Sequence, residues 1–282
     1  MRRTFLFFGL FAGLLLGGCF EHREAPERLV SAVGLDAALE LRDTVQKVDL
    51  SGERLDQLPA VLAEMPQLQW LNLRRAAVTN YAVLPRLGAL RTLDMAEMGL
   101  AQLPEEVTRC APLQRLYLSD NALTNLPAAI GTLQNLDYLN LDRNRLTELP
   151  STLCDLQGLR WLRLNQNQLA SLPDGIGELK QLQRLYLRGN RLQKLPETLA
   201  ECHLIEDLAL SENRLDAFPE VLTRLPRLRN LDLSGNPLAT FPDAEALSRM
   251  ESLRLLTLTR CNVAPEMRER LRTALPKCLI TF

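Results

Sequence analysis

Apolar and polar residues along this chain fall into a pattern that returns about every 23 residues. The stretches Leu113 to Leu123, Leu136 to Leu146, Leu159 to Leu169 and Leu182 to Leu192 each read L-x-x-L-x-L-x-x-N-x-L, continuing as x-x-L-P-x-x and an apolar residue. Counted from the first apolar position, ten units begin at Val45, Leu68, Leu90, Leu113, Leu136, Leu159, Leu182, Ile205, Leu228 and Leu253. The second unit is one residue short, and the ninth is two residues longer, over 243–252. Within each unit the x-L-x-L stretch alternates with period two and predicts a short strand. Stacked copies then form a parallel sheet, with leucines inward and the intervening positions facing solvent on a concave side. The Leu-Pro step predicts where each unit turns onto the convex side, at Pro59, Pro104, Pro127, Pro150, Pro173, Pro196, Pro219 and Pro242. Proline fixes φ near the helical value without needing a donor, so a short helix or 3-10 turn should follow.

No unit of this size can bury its apolar face alone, so the array must stack as one solenoid of fold class α/β. Asn occupies the ninth place of six consecutive units, at Asn121, Asn144, Asn167, Asn190, Asn213 and Asn236. An amide both donates and accepts, so these residues predict a structural ladder inside the bend. Glu53, Ala76, Met98 and Cys261 stand there in the other units, which makes the N-terminal third the less regular part. Solenoid ends expose core and need caps. Residues 29–44 supply one, with apolar residues at helical spacing and Asp36 as candidate N-cap. At the other end Pro265 starts a helix with Met267, Leu271 and Leu275 on one face, and Ile280 and Phe282 alternate in a closing edge strand. The expected organisation is 1–18 leader, 19–28 tether, 29–44 cap, 45–263 ten repeats and 264–282 cap.

The consensus resembles the Ras-group and bacterial 23-residue leucine-rich repeat proteins, from about Val45 to Phe282. That resemblance implies a horseshoe with a concave parallel sheet and short convex helical or 3-10 segments. It also implies that a partner, different in each member, is bound through variable concave residues. The short second unit, the missing Asn in units one to three and the stretched ninth unit depart from the pattern.

Arg2 and Arg3, the apolar run from Thr4 to Leu16, and Gly17-Gly18-Cys19 have the layout of an export leader too short for a comfortable transmembrane helix. Leu16-Gly17-Gly18-Cys19 resembles the bacterial lipobox, which implies that Cys19 is diacylated and becomes the mature N-terminus; an uncleaved anchor is the alternative. In enterobacterial lipoproteins Asp at the next place retains the protein at the inner membrane, so Phe20 implies the outer membrane, facing the periplasm or the surface. Two or three acyl chains anchor stably where one does not.

The chain carries 33 Lys and Arg against 34 Asp and Glu, a net charge of −1. Losing Arg2 and Arg3 with a leader would make it −3, so charge gives no support to a nucleic-acid partner. Cys110 and Cys202 fall at leucine positions of the repeat and are expected in the core, four units and roughly 19 Å apart, beyond disulfide reach. Cys154 falls in a convex segment, and only Cys261 and Cys278 lie where a bond could form. His22 and His203 assemble no catalytic set with a nucleophile, no phosphate loop is present, and no Cys, His or Asp cluster has ligand spacing, so neither catalysis nor a cofactor or metal is expected. Gly131 and Gly177 have a steric place in convex turns.

The concave columns are different. They carry Trp70, then Arg115 with Tyr117, Tyr138, Trp161 with Arg163, and Arg184 with Tyr186, with Arg188 one place further on. Lys47, Asp49, Asn72, Thr92 and Asp94 precede them; Asp207, Ala209, Asn230, Asp232, Leu255 and Thr257 follow. Of two Trp and four Tyr in the chain, all but Tyr81 fall in these columns. Trp, Tyr and Arg are the residues most enriched among interface hot spots, whereas the bland reading is that aromatics simply favour strands. The candidate partner-binding residues are therefore Trp70, Arg115, Tyr117, Tyr138, Trp161, Arg163, Arg184, Tyr186 and Arg188. The arginines should add positive potential for a partner with acidic groups around an apolar anchor. The leading reading is a monomeric, non-enzymatic envelope lipoprotein that binds a protein or peptide. A structural spacer or glycan- or peptidoglycan-binding solenoid is the second, since Trp and Tyr also stack on sugars. A secreted ubiquitin-ligase effector is disfavoured, because no residues remain for its separate catalytic domain.

Overall fold

The computed structural model describes residues 29–282. The leader, the tether and the candidate lipidation residue Cys19 lie outside the described residues. In chain order the strands are β1 (Ser31–Val33), β2 (Lys47–Asp49), β3 (Arg54–Gln57), β4 (Trp70–Asn72), β5 (Ala77–Asn80), β6 (Thr92–Asp94) and β7 (Arg115–Tyr117). They continue with β8 (Tyr138–Asn140), β9 (Trp161–Arg163), β10 (Arg184–Tyr186), β11 (Asp207–Ala209), β12 (Asn230–Asp232), β13 (Leu255–Thr257) and β14 (Leu279–Thr281). All but β3 and β5 join one 12-stranded parallel sheet in sequence order, the concave sheet of a leucine-rich repeat solenoid. Each strand is short because only its middle leucine must point inward. Leu116, Leu139, Leu162 and Leu185 are fully buried, and burial of each such side chain stabilises by roughly 1.5–3 kcal/mol.

The convex side is made of short turns. Pro127, Pro150, Pro173 and Pro196 each precede a five-residue 3-10 helix with ψ still extended, so the proline stops the strand-side segment and aims the chain into the helix. The lengthened ninth unit forms an α-helix instead. There Asp243 accepts the Ala246 N–H at 2.8 Å and caps a helix at Ala244–Ser248. Gly131 and Gly177 are where neighbouring convex turns touch. A Cβ at Gly131 would sit 2.4 Å from the Thr152 carbonyl oxygen, and one at Gly177 2.3 Å from that of Thr198.

The six Asn side chains bind backbone in two units at once. Asn167 Nδ2 donates to the Leu141 carbonyl at 2.9 Å and the Leu164 carbonyl at 3.1 Å, while its Oδ1 accepts from Leu146 N at 3.1 Å. Asn144, Asn190, Asn213 and Asn236 repeat the arrangement, and Asn121 begins it by accepting from Met98 and Leu100. In the last unit Cys261 substitutes, its thiol donating to the Leu233 carbonyl at 3.1 Å. Where Asn is missing at the start, the chain runs extended and pairs with itself, as β3 and β5 form a separate two-stranded parallel sheet.

The N-terminal cap differs from expectation. It opens with strand β1, which extends the main sheet, and only then forms a helix at Leu35–Glu40. Asp36 lies inside the first turn of that helix; the N-cap is Gly34 at φ 81°, and no side chain caps the end. A chain that must leave a sheet edge and turn at once into a helix needs that positive φ, which Gly adopts without strain. The C-terminal helix, Pro265–Ala274, has Pro at its start, with Leu271 and Leu275 buried and Met267 half-buried. Cys110, Cys154, Cys202, Cys261 and Cys278 are all free thiols, so Cys261 and Cys278 are not bonded.

Candidate binding surface on the concave sheet

Register places the candidate residues in two columns. In the first, Lys47, Trp70, Thr92, Arg115, Tyr138, Trp161, Arg184 and Asp207 follow one another strand by strand. In the second, Tyr117, Asn140, Arg163 and Tyr186 do so. Thr92, expected at the surface, is buried between its column neighbours. Tyr117, Tyr138, Trp161 and Tyr186 are half-buried, standing on the sheet rather than in the core.

The rings make a continuous ribbon across three strands. Tyr117 and Tyr138 have centroids 4.9 Å apart with planes tilted by 37°, and Tyr138 and Trp161 are 5.7 Å apart with a 60° tilt. These offset, tilted contacts suit ring quadrupoles. Arg163 links Tyr186 to this face, with its guanidinium carbon 5.5 Å from the Tyr186 centroid. Arg184 lies 4.3 Å above the Trp161 ring. Trp70 stands apart near the N-terminal end, with Lys47 Nζ 3.6 Å from its centroid.

The arginines do not make the positive centre that their columns predict. Arg163 pairs with Asp142 at 2.6 Å, Arg184 with Asp207 at 2.9 Å and Arg188 with Glu212 at 3.0 Å. Asp142 is itself buried and accepts the Asn165 N–H at 2.8 Å, which fixes the Arg163 fork. The carboxylates come from neighbouring units, so spacing along one repeat gave no sign of them. What remains is a neutralised, preorganised set of planar groups, with Arg115 the exposed arginine of the first column.

Asp49 and Asp94 stand at the N-terminal end of the face, with Lys47 beside them. Burial pushes the Asp94 carboxyl above its ordinary range, against the lowering effect of its hydrogen bond from Ala96 N. For Asp49 burial acts in the same sense, but hydrogen bonds from Ser51 and Asn72 and the Lys47 charge outweigh it and hold the group low. Chemically the surface offers aromatic edges, guanidinium donors and a few carboxylates. Among the described residues no three His, Cys, Asp or Glu side chains gather as metal ligands.

One feature beside this face leaves almost no mark in the repeat pattern. At the exit of the concave strands, Arg75, Glu97, Asp120, Arg143, Gln166, Glu212 and Arg260 all have positive φ, as do Gly52, Gly189 and Gly235. All of these but Arg260 are tied by their N–H to the next unit, as Gln166 is to the Arg188 carbonyl at 2.7 Å, which offsets a cost of roughly 1–3 kcal/mol at each non-glycine. Three glycines in ten places were the sole hint.

Residues 150–282 match the family model described as a leucine-rich repeat region, and 111–169 match the leucine rich repeat model. Among solved structures, a leucine-rich repeat protein of Leptospira interrogans is similar at 29% identity and TM-score 0.60, covering 85% of this chain and 73% of that one. Toll, in its Drosophila complex with Spatzle, matches at 24% identity and TM-score 0.67, over 85% of this chain and 37% of its own. An internalin of Listeria monocytogenes matches at 17% identity and TM-score 0.57, over 86% and 88%. The last two show the fold alone. No curated protein sequence matches the chain.

Proposed function

We propose that this leucine-rich repeat solenoid is a non-enzymatic, lipid-anchored protein of a bacterial envelope that binds a protein partner through its concave face. The observation that carries the binding reading is the Tyr117–Tyr138–Trp161 ribbon with Arg184 stacked on its end, built on a solvent-facing sheet and contributing nothing to the core. Leucine-rich repeat proteins generally bind proteins, and similar folds occur in complexes such as Toll with Spatzle. Held rings and ion-paired guanidinium groups lose little side-chain freedom on contact, which favours affinity. Because the arginines are internally paired, the partner fits as an apolar or aromatic segment with hydrogen-bond acceptors, plus an acidic group near Arg115. The anchor rests on the lipobox-like end at Cys19, and the envelope and outer-membrane placement on the same residues and Phe20.

The test is cross-linking and capture from envelope extracts with the full chain, beside a Trp161→Ala variant. A protein captured by the first and lost from the second supports the reading. Retention by the variant, or a glycan strand as the sole captured species, overturns it. Mass analysis of the N-terminal peptide, with Cys19→Ser as control, tests the anchor separately.

A further inference from the structure

The two ends of the solenoid are finished differently. A terminal cap needs a polar outer face to stay soluble. The C-terminal cap has one: Glu266, Arg268, Glu269, Arg270, Arg272 and Thr273 are exposed along its helix. The N-terminal cap is mixed: Ser31, Asp36, Glu40, Arg42, Asp43 and Thr44 are exposed, but large apolar side chains stand among them. Among the described residues the exposed large apolar side chains are Val33 at 80%, Leu39 at 42%, Val30 at 39%, Leu41 at 38% and Leu279 at 66%. Four of those five fall within residues 30–41, on β1 and the helix and turn behind it.

That end is also where the proposed anchor attaches. Cys19 lies ten residues before Leu29. Even fully extended, ten residues span at most ~35 Å, so acyl chains on Cys19 keep this cap, and not the opposite one, beside the lipid. Twelve strands at about 4.8 Å put the other cap on the order of 50 Å away along the sheet.

We propose that the N-terminal cap rests on the membrane surface, with Val30, Val33, Leu39 and Leu41 in the interfacial layer. This inference rests on the lipoprotein reading above. Each contact is small and charge does not assist it, because Asp36, Glu40 and Asp43 are exposed beside the apolar side chains and Arg42 is paired with Glu64 at 3.3 Å. Tethering supplies the high local concentration that lets weak apolar contacts persist. The consequence is orientation: the solenoid stands on its first repeat and projects the aromatic ribbon of β7 to β9 away from the lipid, where a second macromolecule can reach it.

The experiment uses the full chain, matured in a bacterial host and reconstituted through its own lipid into phosphatidylethanolamine–phosphatidylglycerol vesicles. Amide hydrogen exchange is read by mass spectrometry at several protein-to-lipid ratios, beside the double variant Val33→Asp, Leu39→Asp. We expect exchange over residues 30–42 to be slower in the native chain than in the variant by at least about threefold, independent of the ratio. Residues 266–282 should not differ. Equal exchange in the two proteins overturns the proposal. Protection that grows with protein density also overturns it, because a second copy then covers the cap. An N-terminal peptide without acyl mass removes the lipoprotein reading and the proposal with it; acyl mass without protection removes the proposal alone. Both substituted side chains are exposed, and circular dichroism checks that the variant folds.

Discussion

Arg184 joins two interactions in one side chain: its guanidinium carbon lies 4.3 Å from the centre of the Trp161 ring while its Nε is 2.9 Å from Asp207 Oδ2. The ion pair holds the plane over the indole, and the three residues are consecutive in one column of the sheet. A surface assembled this way is ordered before any partner arrives.

Replacing Trp161 and Tyr186 together by Ala should weaken partner binding by at least about 2 kcal/mol, as expected for hot-spot aromatics. Chemical denaturation should show a much smaller change in stability, since both rings are half-buried on the sheet rather than in the core. Glu178→Ala, on the convex side, should change neither. A double variant that fails to fold would return these rings to the role of sheet cover.

Asn167→Ala should cost about 1–3 kcal/mol, because it strands the Leu141 and Leu164 carbonyls and the Leu146 N–H in the interior. Asn230→Ala removes an exposed contact to Asp207 and should cost far less. Urea midpoints for the two variants decide the matter; equal losses would contradict the ladder.

Gly177→Ala should be destabilising by about 1–3 kcal/mol, since its Cβ would meet the Thr198 carbonyl at 2.3 Å and backbone on both sides is fixed. At Gly158 the nearest atom to an added Cβ is 3.4 Å away, so Gly158→Ala should be near neutral. Thermal melting of both variants provides the comparison.

Two carboxylates should respond to pH with opposite sign. Burial raises the Asp94 pKa, so its ionised form costs stability above the folded pKa and the cost disappears as pH falls. Asp94→Asn keeps an acceptor for Ala96 N and should be more stable than the native chain at pH 7, with the gain vanishing below about pH 4. Glu212 is held low by hydrogen bonds from Arg188 and then Arg260, so it contributes stability above its ordinary pKa that is lost on acidification. Glu212→Gln should therefore be less stable than the native chain at pH 7, with the difference lost as pH falls through the lowered pKa of Glu212 in the fold. Denaturant titrations at several pH values measure both differences.

The sequence alone determined the fold, because a 23-residue period and an alternation of two fix which side chain of each unit faces inward. Leu162 in the core, Asn167 in the bend and Trp161 on the open face all follow from counting. The tertiary structure decided everything that depends on what lies one unit away. That Arg163 meets Asp142, and that Arg184 lies between Trp161 and Asp207, are relations between residues of different repeats, so a column of arginines looked charged although its charges are spent on neighbours. The same holds at the ends. Ser31–Val33 has no repeat signature, and it became a strand because the exposed edge of β2 offered backbone partners. Likewise β3 paired with β5 where the ladder Asn was missing, since backbone groups left without a side-chain partner must find each other or water.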